Sequence, residues 1–244
     1  MFDLTGKHAL VTGAGQGVGA GIARVLVAAG ATVHVNDLRA ERAEQVAAEI
    51  GARPLPFDVA DRAAVDVAVA TAGQIDILVN NAGIPPSMRP EQFRHLDPAE
   101  WAPYIDVNLY GVLNCVKATI DGMCDRRWGR VITISSGAAT QGLGMGVSIY
   151  AAGKGAGLSF MRHLAVECGR FGVTANSLAL GLMQRPGPDD ESSRTVTKGM
   201  SASIPVGRVG TGADVGYACA FLASDEASWI TGQTIGVNGG SATS

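Results

Sequence analysis

Charge, thiols and aromatic rings are all scarce in this chain of 244 residues, and the first two scarcities exclude whole classes of function. Charged side chains make up 17% of it and aromatic ones 5%. A charge content below the usual ~25% of soluble domains is too low for a self-repelling, disordered chain. Nineteen basic groups stand against 22 acidic ones, a net charge of -3. No basic surplus is left to condense on nucleic acid or on an anionic membrane surface. The four cysteines, Cys115, Cys124, Cys168 and Cys219, form no CxxC pair. Scattered through apolar segments, they suit buried thiols rather than a zinc site or a disulfide frame, so no metal is expected and a reducing cytoplasm is. A leader pattern is missing too, because Phe2, Asp3 and Leu4 run directly into Thr5-Gly6-Lys7. Between Val131 and Gly153 no charge occurs, yet glycines, Ser, Thr and Gln interrupt the run. It reads as a buried strand followed by an active-site loop, not as a membrane span.

Glycine is abundant instead, at 33 residues without a collagen period. Apolar runs alternate with amphipathic helical patterns, and no Pro-rich or Ser-rich linker divides the chain, so one domain is expected over residues 1–244. Strands are predicted at Ala9 to Val11, Thr32 to Val35, Pro54 to Phe57, Ile75 to Val79, Val131 to Ile134, Val173 to Leu178 and Thr234 to Val237. Val18, Ile22, Val25 and Leu26 mark the first helix. Further helices are predicted at Ala40 to Ile50, Arg62 to Thr71, Pro98 to Met123, Tyr150 to Arg170 and Ala213 to Ser224. Asp97, Pro98 and Glu100 give the fourth of these six the start of a capping box. Such alternation implies a Rossmann-type, doubly wound α/β fold: a seven-stranded parallel sheet with helices on both faces, binding ligand beyond the carboxyl ends of its strands.

Thr12-Gly13-Ala14-Gly15-Gln16-Gly17-Val18-Gly19 follows the first strand and opens the first helix. Glycines there permit a tight turn and let free amides face a pyrophosphate. A Gly-rich loop alone is weak evidence, but Asp37 stands at the end of the second strand, 18 residues beyond Gly19, near the expected ~20. A carboxylate there can accept both hydroxyls of an adenosine ribose and repel a 2'-phosphate, which favours NAD over NADP. Asp37 could instead cap the helix that follows it. Tyr150 and Lys154, four apart, share one face of a predicted helix. For a Tyr to serve as a base near pH 7, its pKa must fall about three units from ~10, roughly 4 kcal/mol. A Lys cation at ~4 Å in an effective dielectric of ~20 contributes about that much.

The chain resembles the short-chain dehydrogenase/reductase family over essentially its whole length. The likeness is carried by Thr12-Gly13-x-x-x-Gly17-x-Gly19, Asp58-Val59, Asn80-Asn81-Ala82-Gly83, Asn108, Ser135-Ser136, Tyr150-x-x-x-Lys154, Thr231-Gly232-Gln233 and Asn238-Gly239-Gly240. Each motif is short, but all stand in order and on the proper strand end or helix. The resemblance implies hydride transfer between a nicotinamide and a carbonyl carbon. In it Tyr150 exchanges the proton, Ser136 bonds the substrate oxygen, Lys154 also holds the nicotinamide ribose, and Asn108 anchors a water that links Lys154 to solvent. It implies cofactor contacts from Gly13, Gln16, Gly17, Val18, Gly19, Asp37, Asp58, Val59, Asn81, Ala82, Gly83, Tyr150, Lys154, Gly181 and Met183. Substrate contacts are implied for Ser136, Leu143, Met145, Tyr150 and Leu182, with a substrate loop at about 181–205.

Three departures from the family's pattern stand out: 14 positions from Ser136 to Tyr150, Leu180-Gly181 in place of Pro-Gly, and Arg185 in place of a carboxamide-binding Thr. Ile84, Pro85, Met88, Phe93, Leu143, Met145, Leu182 and Met183 make the substrate-facing segments apolar. The expected substrate is therefore an apolar small-molecule ketone or secondary alcohol. A homotetramer is also implied, its helices Pro98 to Met123 and Tyr150 to Arg170 pairing through a stripe of Phe160, Leu164 and Cys168 beside Gly153, Gly155, Ala156 and Gly157. Two rivals follow. One is an NADPH-using 3-oxoacyl carrier-protein reductase, since Arg127 fits one docking position while Phe171, with Arg170 adjacent, occupies the second. The other is a dinucleotide-binding protein without turnover.

Overall fold

Apolar residues on successive strand positions point to opposite faces of a sheet, and here both faces are covered. The computed structural model describes residues 2–84, 88–184, 199 and 201–243. Seven parallel strands are described: β1 (His8–Val11), β2 (Thr32–Val35), β3 (Arg53–Pro54), β4 (Ile77–Asn80), β5 (Gly129–Ser136), β6 (Val173–Leu180) and β7 (Thr234–Val237). They form one sheet in the order β3-β2-β1-β4-β5-β6-β7. Ala9, Val11, Val33, Val35, Ile77, Val79, Ile132, Ile134 and Leu178 face a layer made by α1 (Gly17–Ala28), α2 (Ala40–Ile50) and the last helix. Leu10, Leu78, Val131, Val173 and Ala175 face α3 (Arg62–Ala72), α5 (Gly111–Asp125) and α6 (Ser148–Cys168). Between α3 and α5 lies the short α4 (Ala102–Ile105), and α7 (Gly212–Ala223) is the last helix. Full burial of a Leu or Ile in either layer stabilises the fold by about 1.5–3 kcal/mol.

The strand order reverses between β1 and β4, which places a crevice beyond the carboxyl ends of those two strands. The loops after β1, β2, β4 and β5 converge there, and they carry the motifs singled out above.

Two elements differ from their predicted form. β3 is two residues long rather than Pro54 to Phe57, because Pro54 and Pro56 have no N–H to extend a ladder; such residues belong at a sheet edge. The long helix at Pro98 to Met123 is interrupted. A 3-10 turn at Pro98–Glu100 leads into α4, and a π-helical turn at Asp106–Tyr110 precedes α5. Asp97 caps as expected, accepting from the Ala99 N–H at 2.9 Å. The capping box does not close, because Glu100 is taken by Arg89 at 2.7 Å.

Two of the three residues in the stripe assigned to an interface turn inward instead. Leu164 and Cys168 are buried in the chain's own core. Gly153 is buried as well, and a Cβ there would lie 2.9 Å from that of Asn108. Periodicity shows that a face is apolar without showing what covers it.

Candidate active site

The Gly-rich loop is shaped by contacts between strand ends. Thr12 Oγ1 accepts from the Asn81 N–H at 3.0 Å and the Ala82 N–H at 3.1 Å. Asn81 Nδ2 donates to the Thr12 and Gly13 carbonyls at 2.9 and 3.0 Å. Asn81 therefore spends its side-chain amide on fastening the β1 loop to the β4 loop. A Cβ at Gly19 would collide with the Gly13 carbonyl oxygen, so only glycine lets α1 start this close to the loop. Gln16 caps α1 without a side-chain bond, and the first turn holds no acidic residue. The amides at that helix start are thus left for an anion.

Asp37 is buried and bonded on both oxygens. Oδ2 accepts from the Gly15 N–H at 3.1 Å and Oδ1 from the Arg39 N–H at 3.0 Å. It braces the Gly-rich loop and turns the chain toward α2, whose N-cap is Arg39. Asp37 does not cap that helix directly. Each carboxylate oxygen retains a lone pair for a further donor.

At the end of β4, a Cβ on Gly83 would run into Lys154 Nζ and lie 2.8 Å from Asn108 Oδ1. Gly83, Lys154 and Asn108 therefore meet at one point. Lys154 is buried and donates to the Ile134 carbonyl at 2.7 Å. Burial pushes its ammonium down to about 8. Asn108 lies within the π-helical turn, where its Nδ2 donates to the Tyr104 carbonyl at 2.8 Å, the acceptor its own backbone N–H would use in a regular helix. The backbone bond shifts register there, with the Gly111 N–H reaching the Asp106 carbonyl. Single π turns of this kind recur at functional sites. The exchange leaves Asn108 Oδ1 buried and without a partner, an acceptor aimed at the Lys154 neighbourhood.

Ser136 ends β5, and Tyr150 lies in the first turn of α6. Burial raises the Tyr150 phenol, and the nearby Ser136 hydroxyl opposes the rise. Lys154, expected to draw this phenol down, is bonded to the Ile134 carbonyl instead. Ser136 Oγ also accepts from the Ala138 N–H at 3.2 Å. Ser135 points the other way, toward the Lys154 carbonyl at 3.5 Å, and is buried. Between the two serines, Ser136 is the one beside Tyr150.

The remaining predicted residues divide by setting. Val59 is buried and packs on Gly111, while Asp58 is exposed and accepts from the Ala60 N–H. Gly181 passes so close to Asn238 that a Cβ would lie 2.8 Å from its Cα. Leu182 and Met183 are half-buried, and both are tied to Gly210, Leu182 by accepting its N–H and Met183 by a parallel bridge. Leu143 and Met145 are exposed. Pro85 and Arg185 lie outside the described residues, as does most of 181–205. Sequence reasoning missed Tyr104 and Leu96, which with Met88, Arg89 and residues 146–150 line a recess of about 10 Å³ beside Tyr150. Neither has a motif to announce it.

A parallel sheet with a Gly-rich loop at its crossover point, and Ser136, Tyr150, Lys154 and Asn108 beyond its strand ends, is an arrangement suited to dinucleotide-dependent oxidoreduction. Comparison with known proteins agrees. The family model described as enoyl-(acyl carrier protein) reductase matches residues 13–242. Nodulation protein G of Rhizobium sp. (strain N33) is 39% identical over 246 residues, 98% of each chain. The 3-oxoacyl-[acyl-carrier-protein] reductase FabG of Salmonella typhimurium is 40% identical over 249 residues, again 98% of each. A solved 3-oxoacyl-[acyl-carrier protein] reductase with bound NAD from Brucella melitensis superimposes with a TM-score of 0.88 at 32% identity, covering 98% of this chain and 92% of that one. The chain belongs to the short-chain dehydrogenase/reductase family and is an oxidoreductase.

Proposed function

We propose that the protein interconverts an apolar ketone and its secondary alcohol with NAD(H), through Ser136, Tyr150, Lys154 and Asn108. The convergence of Gly83, Lys154 and the unpartnered Asn108 oxygen carries this reading, because a buried cation beside a buried free acceptor is costly unless it serves a proton path. When bound, a nicotinamide supplies the hydride or accepts it. The amides at the start of α1 would hold its pyrophosphate, Asp37 its adenosine ribose and Lys154 its nicotinamide ribose. Ser136 orients the substrate oxygen, and Tyr150 gives that oxygen a proton or takes one from it. Lys154, with a pKa near 8, is poised to pass the proton on. Asn108 Oδ1 would anchor the water that continues the path.

NAD is preferred over NADP because Asp37 is a buried carboxylate where a 2'-phosphate would have to sit. Carrier-protein reduction remains a second reading, favoured by the names of the relatives. Against it, Arg127 already donates to the Arg170 carbonyl at 3.1 Å. We also propose self-association through α5 and α6, with exposed Tyr110 and Val166 and half-buried Phe160 as the apolar contacts and a homotetramer as the product. A panel of secondary alcohols with NAD and with NADP, followed at the NADH absorbance, tests the reading. Turnover only with acyl thioesters and NADPH would replace it with the carrier-protein reading.

A further inference from the structure

Tyr150 is flanked by two segments that are far apart in sequence and fastened to each other. One is the loop from Gly137 to Val147, and the other runs from Met88 to Leu96. The Glu91 N–H donates to the Gly146 carbonyl at 2.8 Å. Gly146 has φ +69°, and a Cβ there would lie 2.7 to 2.9 Å from the backbone atoms of Glu91. No other residue type fits that contact without parting the two segments. The strap is anchored at its far side as well. The Tyr104 hydroxyl lies between the Arg89 N–H and carbonyl, at 3.4 and 3.5 Å, while the Tyr104 carbonyl holds Asn108. Arg89 bridges Glu91 at 3.4 Å and Glu100 at 2.7 Å, so its charge is cancelled rather than offered to a ligand.

The space this wall leaves beside Tyr150 is about 10 Å³, room for about one water and no more. Leu143 and Met145, flanked by Gly142 and Gly144 with open space around them, stay exposed at the loop tip. Among the described residues, one side of the site is thus walled by fastened backbone, while the loop tip on the other side stays exposed.

We propose that the Glu91–Gly146 strap makes Gly146 a specificity-determining residue. It limits the substituent on the closed side of the reacting carbonyl to about a methyl group and leaves the larger substituent to the side of Leu143 and Met145. The substrate class is a neutral ketone with one small and one large arm. This inference rests on the ketone-reducing reading above and deepens it.

Gly146→Ala forces the strap apart, and Glu91→Pro removes its donor while leaving Gly146 in place. Each is compared with the parent for kcat/KM on a methyl ketone and on a ketone branched on both sides, with NADH affinity and circular dichroism as controls. One methylene in a closed apolar pocket decides about 10–200-fold. The ratio of branched to methyl ketone efficiency should therefore rise at least about tenfold in either variant, at unchanged NADH affinity. A ratio within about threefold of the parent's in a folded variant would overturn the strap's role while leaving the ketone reading intact. If the parent itself reduces neither ketone, that reading fails, and this inference falls with it. Should Gly146→Ala not fold, Glu91→Pro decides the outcome alone.

Discussion

Replacing Lys154 by Met should abolish turnover and yet stabilise the protein at neutral pH. The side chain is fully buried, and burial alone lowers its ammonium from the usual 10.5 to about 8, which is about 3 kcal/mol against the charged form at pH 7. Met has nearly the same length and carries no such penalty. The Ile134 carbonyl loses a charge-assisted bond of 2.7 Å, worth roughly 1.5 kcal/mol. A net gain of about 1.5 kcal/mol remains, or roughly 3–6 °C in Tm for a chain of this size. The pH dependence fixes the cause. Because the folded value lies below the unfolded one, the native state binds fewer protons between about 8 and 10.5, so the parent's stability rises with pH across that window. Below about 8 the penalty is complete and constant. The advantage of Lys154→Met should thus be full at pH 7 and, falling by about 2.5 kcal/mol, turn into a deficit of about 1 kcal/mol at pH 10. Thermal and urea unfolding of both proteins at the two pH values, without added nucleotide, provides the measurement. A variant less stable than the parent at pH 7, or an advantage that does not change with pH, would refute the reasoning.

Ser136→Ala should cost at least about 100-fold in kcat, while Ser135→Ala, whose hydroxyl only reaches the Lys154 carbonyl, should cost far less; steady-state kinetics of the two variants would expose a reversed order. Asp37→Ser removes both the negative charge and the bond to the Gly15 N–H. NAD efficiency should fall more than NADP efficiency rises, from a parent preference of about 100-fold, and equal use of both cofactors by the parent would sink the ribose assignment. Asp214→Asn loses a pair with Arg208 at 2.7 Å and half of the Thr211 capping box, and should cost about 1 kcal/mol in urea unfolding. The Arg208 guanidinium, first among its partners, holds the Asp214 carboxyl well below the usual carboxylate range. That stability is present above about pH 4 and is lost as pH falls through the folded value; a deficit in Asp214→Asn that persists undiminished in acid would contradict it.

The sheet was legible in sequence because each strand is a short apolar run bounded by turn residues, and β2 and β7 match their predicted bounds. The candidate site could be proposed from sequence because its motifs fall at strand ends, where a doubly wound sheet gathers its loops. Three kinds of feature stayed hidden. The π turn at Asn108 depends on one side chain displacing a backbone bond, and the apolar period runs on undisturbed through it. The lost capping box at Glu100 depends on Arg89, eleven residues earlier and brought back by the fold. The direction of Lys154 toward Ile134 is decided by burial, whereas its spacing from Tyr150 says only that the two share a helix face. Tyr104 is the clearest omission. It holds Asn108 through its carbonyl and the Arg89 backbone through its hydroxyl, and nothing in its neighbours marks it.

The central claim is that Tyr150 carries the proton in a hydride transfer at this site. NADH consumption with a methyl ketone, measured for the parent and for Tyr150→Phe, tests it directly, with NADH affinity measured alongside by fluorescence. The parent should consume NADH in step with ketone, and Tyr150→Phe should bind NADH as tightly while losing at least about 100-fold in kcat. A Phe variant that keeps most of the parent's turnover would contradict the account, whatever its substrate proved to be.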